Sequence, residues 1–325
     1  MTEHALQCAY IDEIRQIEHI LIPHRQFQEV VQRLSHVHEF ASGGAEPRHT
    51  LLVGESGSGK TWIARYMLTL MPPQNQDGIS IKPVLLVSTP ATPTLKTLAE
   101  AILFALGDPL AGYGTADNKR YRALSLIRSC RVEMIIIDEL QHFLDHGVRH
   151  SMYSVADWLK AFIDDAGVSC LLMGLPRATA ILALNEQLRR RFATQLVLTP
   201  FSIDTEESEA EFRSVLNELD KMIPTSRRSG FAEVDVARRI YVATNGLIGY
   251  LKKLVIGAFD LMRVENRACI DISLLGQAFT QEIWQGGPHT LNPFRPGFAL
   301  RKLDQPGEPF ASLSAASCAK TGRKR

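Results

Sequence analysis

The sequence predicts an α/β fold: a three-layer core on a five-stranded parallel sheet, followed by a small all-helical domain. Five short apolar segments recur between Arg48 and Phe201. Each is a continuous run rather than an in–out alternation, the pattern of strands buried on both faces. Helical patterns separate the runs, as the crossovers between parallel strands require. Beyond Phe201 the apolar residues fall at helical intervals and no strand is evident.

Taken in order, residues 1–45 read as an N-terminal helical extension. Residues 10–35 are helical, and Pro23 in "LIPHRQF" starts a new helix in its first turn, burying Phe27, Val30, Val31 and Leu34. Residues 46–201 are the nucleotide-binding core. "HTLLVGESGSGKT" is a strand entering a glycine-rich loop, and "KTWIARYML" the helix that follows. "IKPVLLVST" (81–89) is the second strand. "TLKTLAEAILFAL" (94–106) is a helix with Leu95, Leu98, Ile102 and Leu106 on one side, and "GDPLAGYGTADN" a loop by composition. "KRYRALSLIRSC" is a helix, "VEMIIIDE" (132–139) the third strand, "VADWLKAFIDDAG" a helix and "VSCLLMG" (168–174) the fourth strand. "ATAILALNEQLRRRF" is a helix, and "ATQLVLTPF" (193–201) the fifth strand with its exit loop.

Residues 202–286 form the helical domain. Asp204 or Thr205 caps "EESEAEFRSVLNELDKMI", whose first turn is acidic. A second helix ends at Gly246. Leu247, Leu251, Leu254, Ala258 and Met262 define a third, and "DISLLGQAFTQEIW" a fourth. From 287 to 325 the chain is rich in Pro, Gly, Ser and basic residues and is expected to be mostly disordered. Its Phe294, Phe298 and Phe310 are either docking points for a partner or pack back on the body.

Composition narrows the class. Hydrophobic residues at 45% and charged residues at 22% are ordinary for a soluble globular protein. No apolar run approaches the roughly 20 residues of a membrane span. The first residues lack a basic start followed by an apolar core, so a cytoplasmic location is expected. The five cysteines lack a CxxC pair, which argues against a disulfide framework and a zinc site. Cys170, in an apolar run, reads as core. A net charge of +1 means that any nucleic-acid contact must be concentrated on one face or in one channel.

The chemistry starts at "GESGSGKT". Gly54, Gly57 and Gly59 allow backbone angles and close approach that a side chain blocks. With Glu55, Ser56 and Ser58 they form a loop whose amides face phosphate oxygens at the start of the next helix. Lys60 reaches the terminal phosphates and the Thr61 hydroxyl ligates magnesium. In "MIIIDE", Asp138 at the strand end holds magnesium through water, and Glu139 is the base for a water attacking the terminal phosphate. The pair argues for hydrolysis of ATP rather than transfer to a small molecule. In "QLRRRF", Arg191 is the candidate to enter a neighbouring copy's site and neutralise charge in the transition state, ahead of Arg190 and Arg189. The competing reading is a solvated basic helix end. His142, His146 and His150 lie four apart, but Gly147 interrupts them and no metal site is expected.

On these residues the chain resembles the TniB/TnsC-type transposition ATPases of the AAA+ class, relatives of the MuB target-selection protein. The resemblance runs from about residue 10 to 295 through "IPHRQFQEVVQRL", "LLVGESGSGKT", "IIIDELQHFL", "LLMGLPRA", "NEQLRRRF" and "TNGLIGYLKKLV". It implies a P-loop AAA+ core with a helical lid, and ATP and Mg²⁺ as cofactors. It also implies ATP-dependent rings or filaments on duplex DNA that mark a target and recruit a DDE transposase, often with a TniQ-type adaptor. Hydrolysis then dismantles the assembly. Lys60, Thr61, Asp138, Glu139 and Arg191 occupy the matching positions. The segment between the second and third strands lines the DNA channel in such assemblies, which nominates Lys96, Lys119, Arg120, Arg122 and Arg128 as sequence-blind phosphate contacts.

Two departures stand out. "MGLP" puts Leu175 where a polar sensor is usual, and "NGLIGYLKK" offers Gly249 and Tyr250 where an arginine is common, with Lys252 and Lys253 a turn on. A slow, switch-like ATPase is therefore expected. The alternative is a replication-initiator or clamp-loader-like AAA+ ATPase.

Overall fold

The computed structural model describes residues 3–145 and 149–311. The chain divides into two compact units, Arg25–Thr199 and Met1–His24 with Pro200–Arg325. The N-terminal helix α1 (Glu3–His19) ends before Pro23, and α2 (Arg25–Ser42) begins after it. The segment expected as one extension is therefore two parts. Ile17, Ile20 and Ile22 join the hydrophobic core of the C-terminal helices. Helix α2 opens the other unit, with Phe27, Val30 and Leu34 buried.

That unit continues as β1 (His49–Gly54), α3 (Lys60–Leu70), β2 (Gln74–Gln76), β3 (Ile79–Ile81), β4 (Val84–Ser88), α4 (Leu95–Leu106) and α5 (Ala116–Ser129). It ends with β5 (Met134–Asp138), α6 (His142–Asp145), α7 (Arg149–Ala166), β6 (Ser169–Gly174), α8 (Thr179–Ala183), α9 (Glu186–Arg191) and β7 (Thr194–Leu198). Five strands form one parallel sheet in the order β4, β5, β6, β1, β7. Their apolar runs are continuous because most side chains meet helices on either face; Leu51, Ile136 and Leu172 are fully buried. Cys170 is buried in β6, as its apolar run predicts. Edge strand β7 is half open, with Val197 58% exposed.

The β2–β3 hairpin was not expected. Its turn, Asp77-Gly78, has both φ angles positive at 52° and 78°, the geometry a two-residue hairpin turn favours.

The second unit holds α1 with α10 (Glu206–Met222), α11 (Val234–Thr244), α12 (Ile248–Val264) and α13 (Ile272–Ala278). Thr205, not Asp204, caps α10, accepting from the Ser208 N–H in a capping box. Helix α11 closes through Asn245 and Gly246, both in the left-handed region. At Gly246 a Cβ would lie 2.3 Å from the Phe201 carbonyl oxygen.

The disorder expected from 287 is corrected over 287–311. Phe294 is 4% exposed, Phe298 and Phe310 pack against the helical core, and Arg301 is paired with Glu308. The three aromatics offset the polar composition by burying apolar surface. Among the described residues, no helix is long and apolar enough to cross a membrane.

Candidate functional site

The candidate site lies where the strands end at their carboxyl side. β1 delivers Gly54 to the edge of the sheet, and α3 starts at Lys60. Between them Gly57 and Gly59 take φ of 80° and 100°, which a side chain would strain. Gly54 is required for a different reason: a Cβ would lie 2.6 Å from Ser58 Oγ and 2.7 Å from the Leu198 carbonyl oxygen. The loop thus closes tightly on itself before the helix begins.

Lys60 is buried inside this turn. Its Nζ donates to the Gly54 and Glu55 carbonyl oxygens at 2.7 and 2.9 Å, with Ser58 Oγ at 3.5 Å. Burial lowers its pKa, opposed by the charges of Asp138, Glu139 and Glu55. An ammonium held by neutral carbonyls beside acids is available to exchange one oxygen partner for another, such as a phosphate oxygen.

Strand β5 places two carboxylates against this loop. The Thr61 hydroxyl donates to Asp138 Oδ2 at 3.0 Å, and the Glu139 N–H donates to Asp138 Oδ1 at 2.8 Å. Burial raises the Asp138 pKa, partly offset by those two hydrogen bonds. A hydroxyl and a carboxylate, with the remaining positions left to water and phosphate, fit the oxygen-only coordination of magnesium. Bound there, the ion would neutralise charge on phosphate oxygens. Glu139 is partly exposed beside Asp138, with φ of 59°.

Arg191 is placed elsewhere. It ends α9 three residues before β7, whose Thr194 lies beside Thr50 at the start of β1. Lys60 follows the other end of β1. The strands rise about 3.3 Å per residue, so the two groups stand roughly a sheet-length apart. Arg191 is paired with Asp164 of α7, which also pairs with Lys160 at 3.2 Å. Arg190 pairs with Glu186 at 2.6 Å; Arg189 is exposed.

The nominated DNA contacts separate. Lys119 is a correction: it is fully buried, its Nζ donating to Glu100 Oε2 and the Ala111 carbonyl oxygen, both at 2.6 Å. A lysine so enclosed fastens the loop before α5 to α4 and has no surface to offer a phosphate. Arg120 is paired with Asp165, and Arg122 holds Asp108 at 2.5 Å and the Leu110 carbonyl at 2.7 Å. Arg128 reaches the Asp165 carbonyl at 3.3 Å. Lys96 is exposed on α4.

His142 Nδ1 lies 3.1 Å from the Thr89 carbonyl oxygen. His146 and the His150 side chain lie outside the described residues. Lys252 and Lys253 belong to α12; Lys252 donates to the Glu18 carbonyl at 2.9 Å and Lys253 lies over the Tyr250 ring. The sequence reading did not single out Gln141, which is 3% exposed and bonded to Glu139. The signal was its place two residues past the acidic pair.

Sheet order, glycine loop and paired carboxylates together define a P-loop ATPase fold of the AAA+ class. Solved structures with this fold include the ORC1 protein of Aeropyrum pernix in complex with DNA, at 17% identity and a TM-score of 0.59, covering 80% of this chain. This chain spans 66% of that one, just under two thirds. Cdc6p of Pyrobaculum aerophilum aligns at 13% identity and a TM-score of 0.62, covering 84% of this chain and 72% of its own. The ORC2 protein of Aeropyrum pernix, solved as ADPNP–ADP complexes, aligns at 15% identity and 0.60, covering 83% and 72%. No characterised protein matches the sequence significantly. The family described as bacterial TniB protein matches residues 11–202, and the chain belongs to that family.

Proposed function

We propose that this protein is an ATP-dependent, DNA-binding regulator of transposition. It oligomerises on duplex DNA without sequence preference, marks the target, and recruits and activates a DDE transposase, with a TniQ-type adaptor as a further partner. ATP hydrolysis, slow and switch-like, disassembles it. The proposed setting is the bacterial cytoplasm.

The observation that carries this reading is the separation of Arg191 from Lys60 across the sheet. Lys60 and the loop amides bind the phosphates, and Glu139 accepts the proton of the attacking water. Arg191 is too far to take part in its own copy, so its positive charge serves the site of the next. Such an ATPase is complete only when copies adjoin, which makes the nucleotide a control on assembly. Membership of the TniB family supports transposition over replication initiation, since the likeness to the ORC and Cdc6 structures concerns the fold.

On the DNA side, Lys96 and Arg128 are the exposed contacts, with Arg120 and Arg122 contributing once they exchange their acidic partners for phosphates. The test is electron microscopy with duplex DNA and a non-hydrolysable ATP analogue. Ordered rings or filaments are expected with both present. Free monomers under every nucleotide condition would overturn the proposal.

A further inference from the structure

The loop leaving β5 carries a buried side chain that the chemistry above leaves unused. Gln141 uses both ends of its amide. Its Nε2 donates to Glu139 Oε2, and its Oε1 accepts from the Leu175 N–H at 3.0 Å. Leu175 follows the last residue of β6, the strand beside β5 in the sheet. The contact is repeated in the backbone, where the Leu140 N–H donates to the Met173 carbonyl oxygen at 3.0 Å. At Gly174 a Cβ would stand 2.8 Å from Gln141 Oε1, so glycine there leaves the amide its place.

Glu139 needs such support. Its φ of 59° is costly for a residue with a side chain, and its own N–H is engaged by Asp138. The carboxylate follows a strained backbone on a short loop. The neighbouring strand end, Met173-Gly174-Leu175, contributes no polar side chain of its own.

We infer that Gln141 is a positioning residue for hydrolysis: it holds one oxygen of Glu139, leaves the other for the attacking water, and ties the base to the end of β6. The inference rests on the reading of Glu139 as the base. A buried amide with both ends satisfied is rigid, because either bond broken leaves a desolvated group without its partner. Rigidity matters here because a displacement of about 1 Å in a reacting group can cost about a hundredfold in rate.

The test is steady-state ATPase kinetics in the presence of duplex DNA, beside nucleotide binding and thermal melting. Gln141→Met keeps the volume and removes both hydrogen bonds. The expected result is a fall in kcat of about thirtyfold or more, with KM and nucleotide Kd within about threefold of the parent. Gly174→Ala, whose Cβ would meet Gln141 Oε1 at 2.8 Å and the Ala178 Cβ at 2.9 Å, is expected to lower kcat in the same direction with KM kept, and its thermal melting reports the Ala178 contact. A Gln141→Met protein with parental kcat overturns the inference. So does one in which kcat and nucleotide affinity fall together, or in which the melting temperature drops while kcat per folded molecule is kept. Glu139→Gln is the control for the underlying reading. If it hydrolyses ATP at the parental rate, the base assignment fails. If it is inactive while Gln141→Met is parental, the role of Gln141 alone fails.

Discussion

The Thr61 hydroxyl donates to Asp138 Oδ2 at 3.0 Å, joining the first turn of α3 to the end of β5 across 77 residues of sequence. This bond brings the phosphate loop and the acidic strand end into one site, and it gives Glu139 its position next to both. Glu139→Gln removes the proposed base while keeping the shape. Turnover is expected to fall by about a hundredfold or more, with nucleotide affinity kept and assemblies persisting in ATP. Phosphate release and sedimentation, measured together, check it; parental turnover would falsify the assignment.

Arg191 and Lys60 lie at opposite strand ends of one sheet, so the defects of Arg191→Ala and Lys60→Ala should complement. Lys60→Ala is expected to abolish nucleotide-dependent assembly by itself. Arg191→Ala should lower turnover by about a thousandfold with little loss of nucleotide affinity. Mixed, the Lys60→Ala copy supplies its arginine to the intact phosphate loop of the other, and ATPase activity should return in part. Absence of recovery, with mixed assemblies shown to form, would overturn the role of Arg191 in a neighbouring site.

Lys119 and Lys96 should behave oppositely. Lys96→Ala is expected to weaken DNA binding uniformly across sequences and to reduce the salt slope by about 0.9. Lys119→Met should leave that slope unchanged. It should also lower the melting temperature by about 4 °C or more, because Glu100 and the Ala111 carbonyl lose their donor. Fluorescence anisotropy over a salt series and thermal melting separate the two.

Acid should destabilise the protein through His49. Burial pushes its pKa from 6.5 down to about 4, with Arg191 adding to the effect. The folded state keeps the ring neutral while the unfolded chain takes up a proton below pH 6.5, so stability falls as pH drops from 6.5 towards 4. By pH 5 the loss is about 2 kcal/mol. His49→Phe, beside Phe192, should flatten that part of the dependence. His24, also pushed down to about 4 by burial, leaves a similar share in place. Urea midpoints at pH 7.5 and 5 read the difference, and an unchanged slope in the variant refutes it.

Two glycines with similar φ should respond differently to alanine. At Gly246, φ is 67° and the new Cβ would meet the Phe201 carbonyl oxygen at 2.3 Å. A loss of about 3 kcal/mol or more is expected. At Gly286, φ is 73° and the space is open, so about 1 kcal/mol is expected. Denaturant unfolding of both variants checks the contrast.

The parallel sheet was legible because each interior strand is a run of apolar residues with no alternative use, and the phosphate loop because its glycines have a single geometric purpose. The hairpin was passed over although Asp77-Gly78 is a strong turn signal, since one arm, Gln74–Gln76, is polar and exposed and the other, Ile79–Ile81, is only three residues long. Lys119 could not be read correctly from sequence. Its burial depends on Glu100 and the Ala111 carbonyl arriving from elements that local pattern does not position. The stretch after 287 misled for a related reason: composition averages over a segment, whereas Phe294, Phe298 and Phe310 each find a specific surface. Gln141 was visible in "DELQ", but its significance lies in the Leu175 N–H of another strand.

In the proposed assembly each copy brings its phosphate loop at one end of the sheet and its arginine at the other, so an open chain of copies ends in one unfinished catalytic centre. Turnover per copy therefore rises with chain length: two copies share a single working centre, and long chains lose only the terminal one. The terminal nucleotide, lacking the arginine, outlives those inside, so the two ends of a growing chain are chemically unequal and it acquires a direction.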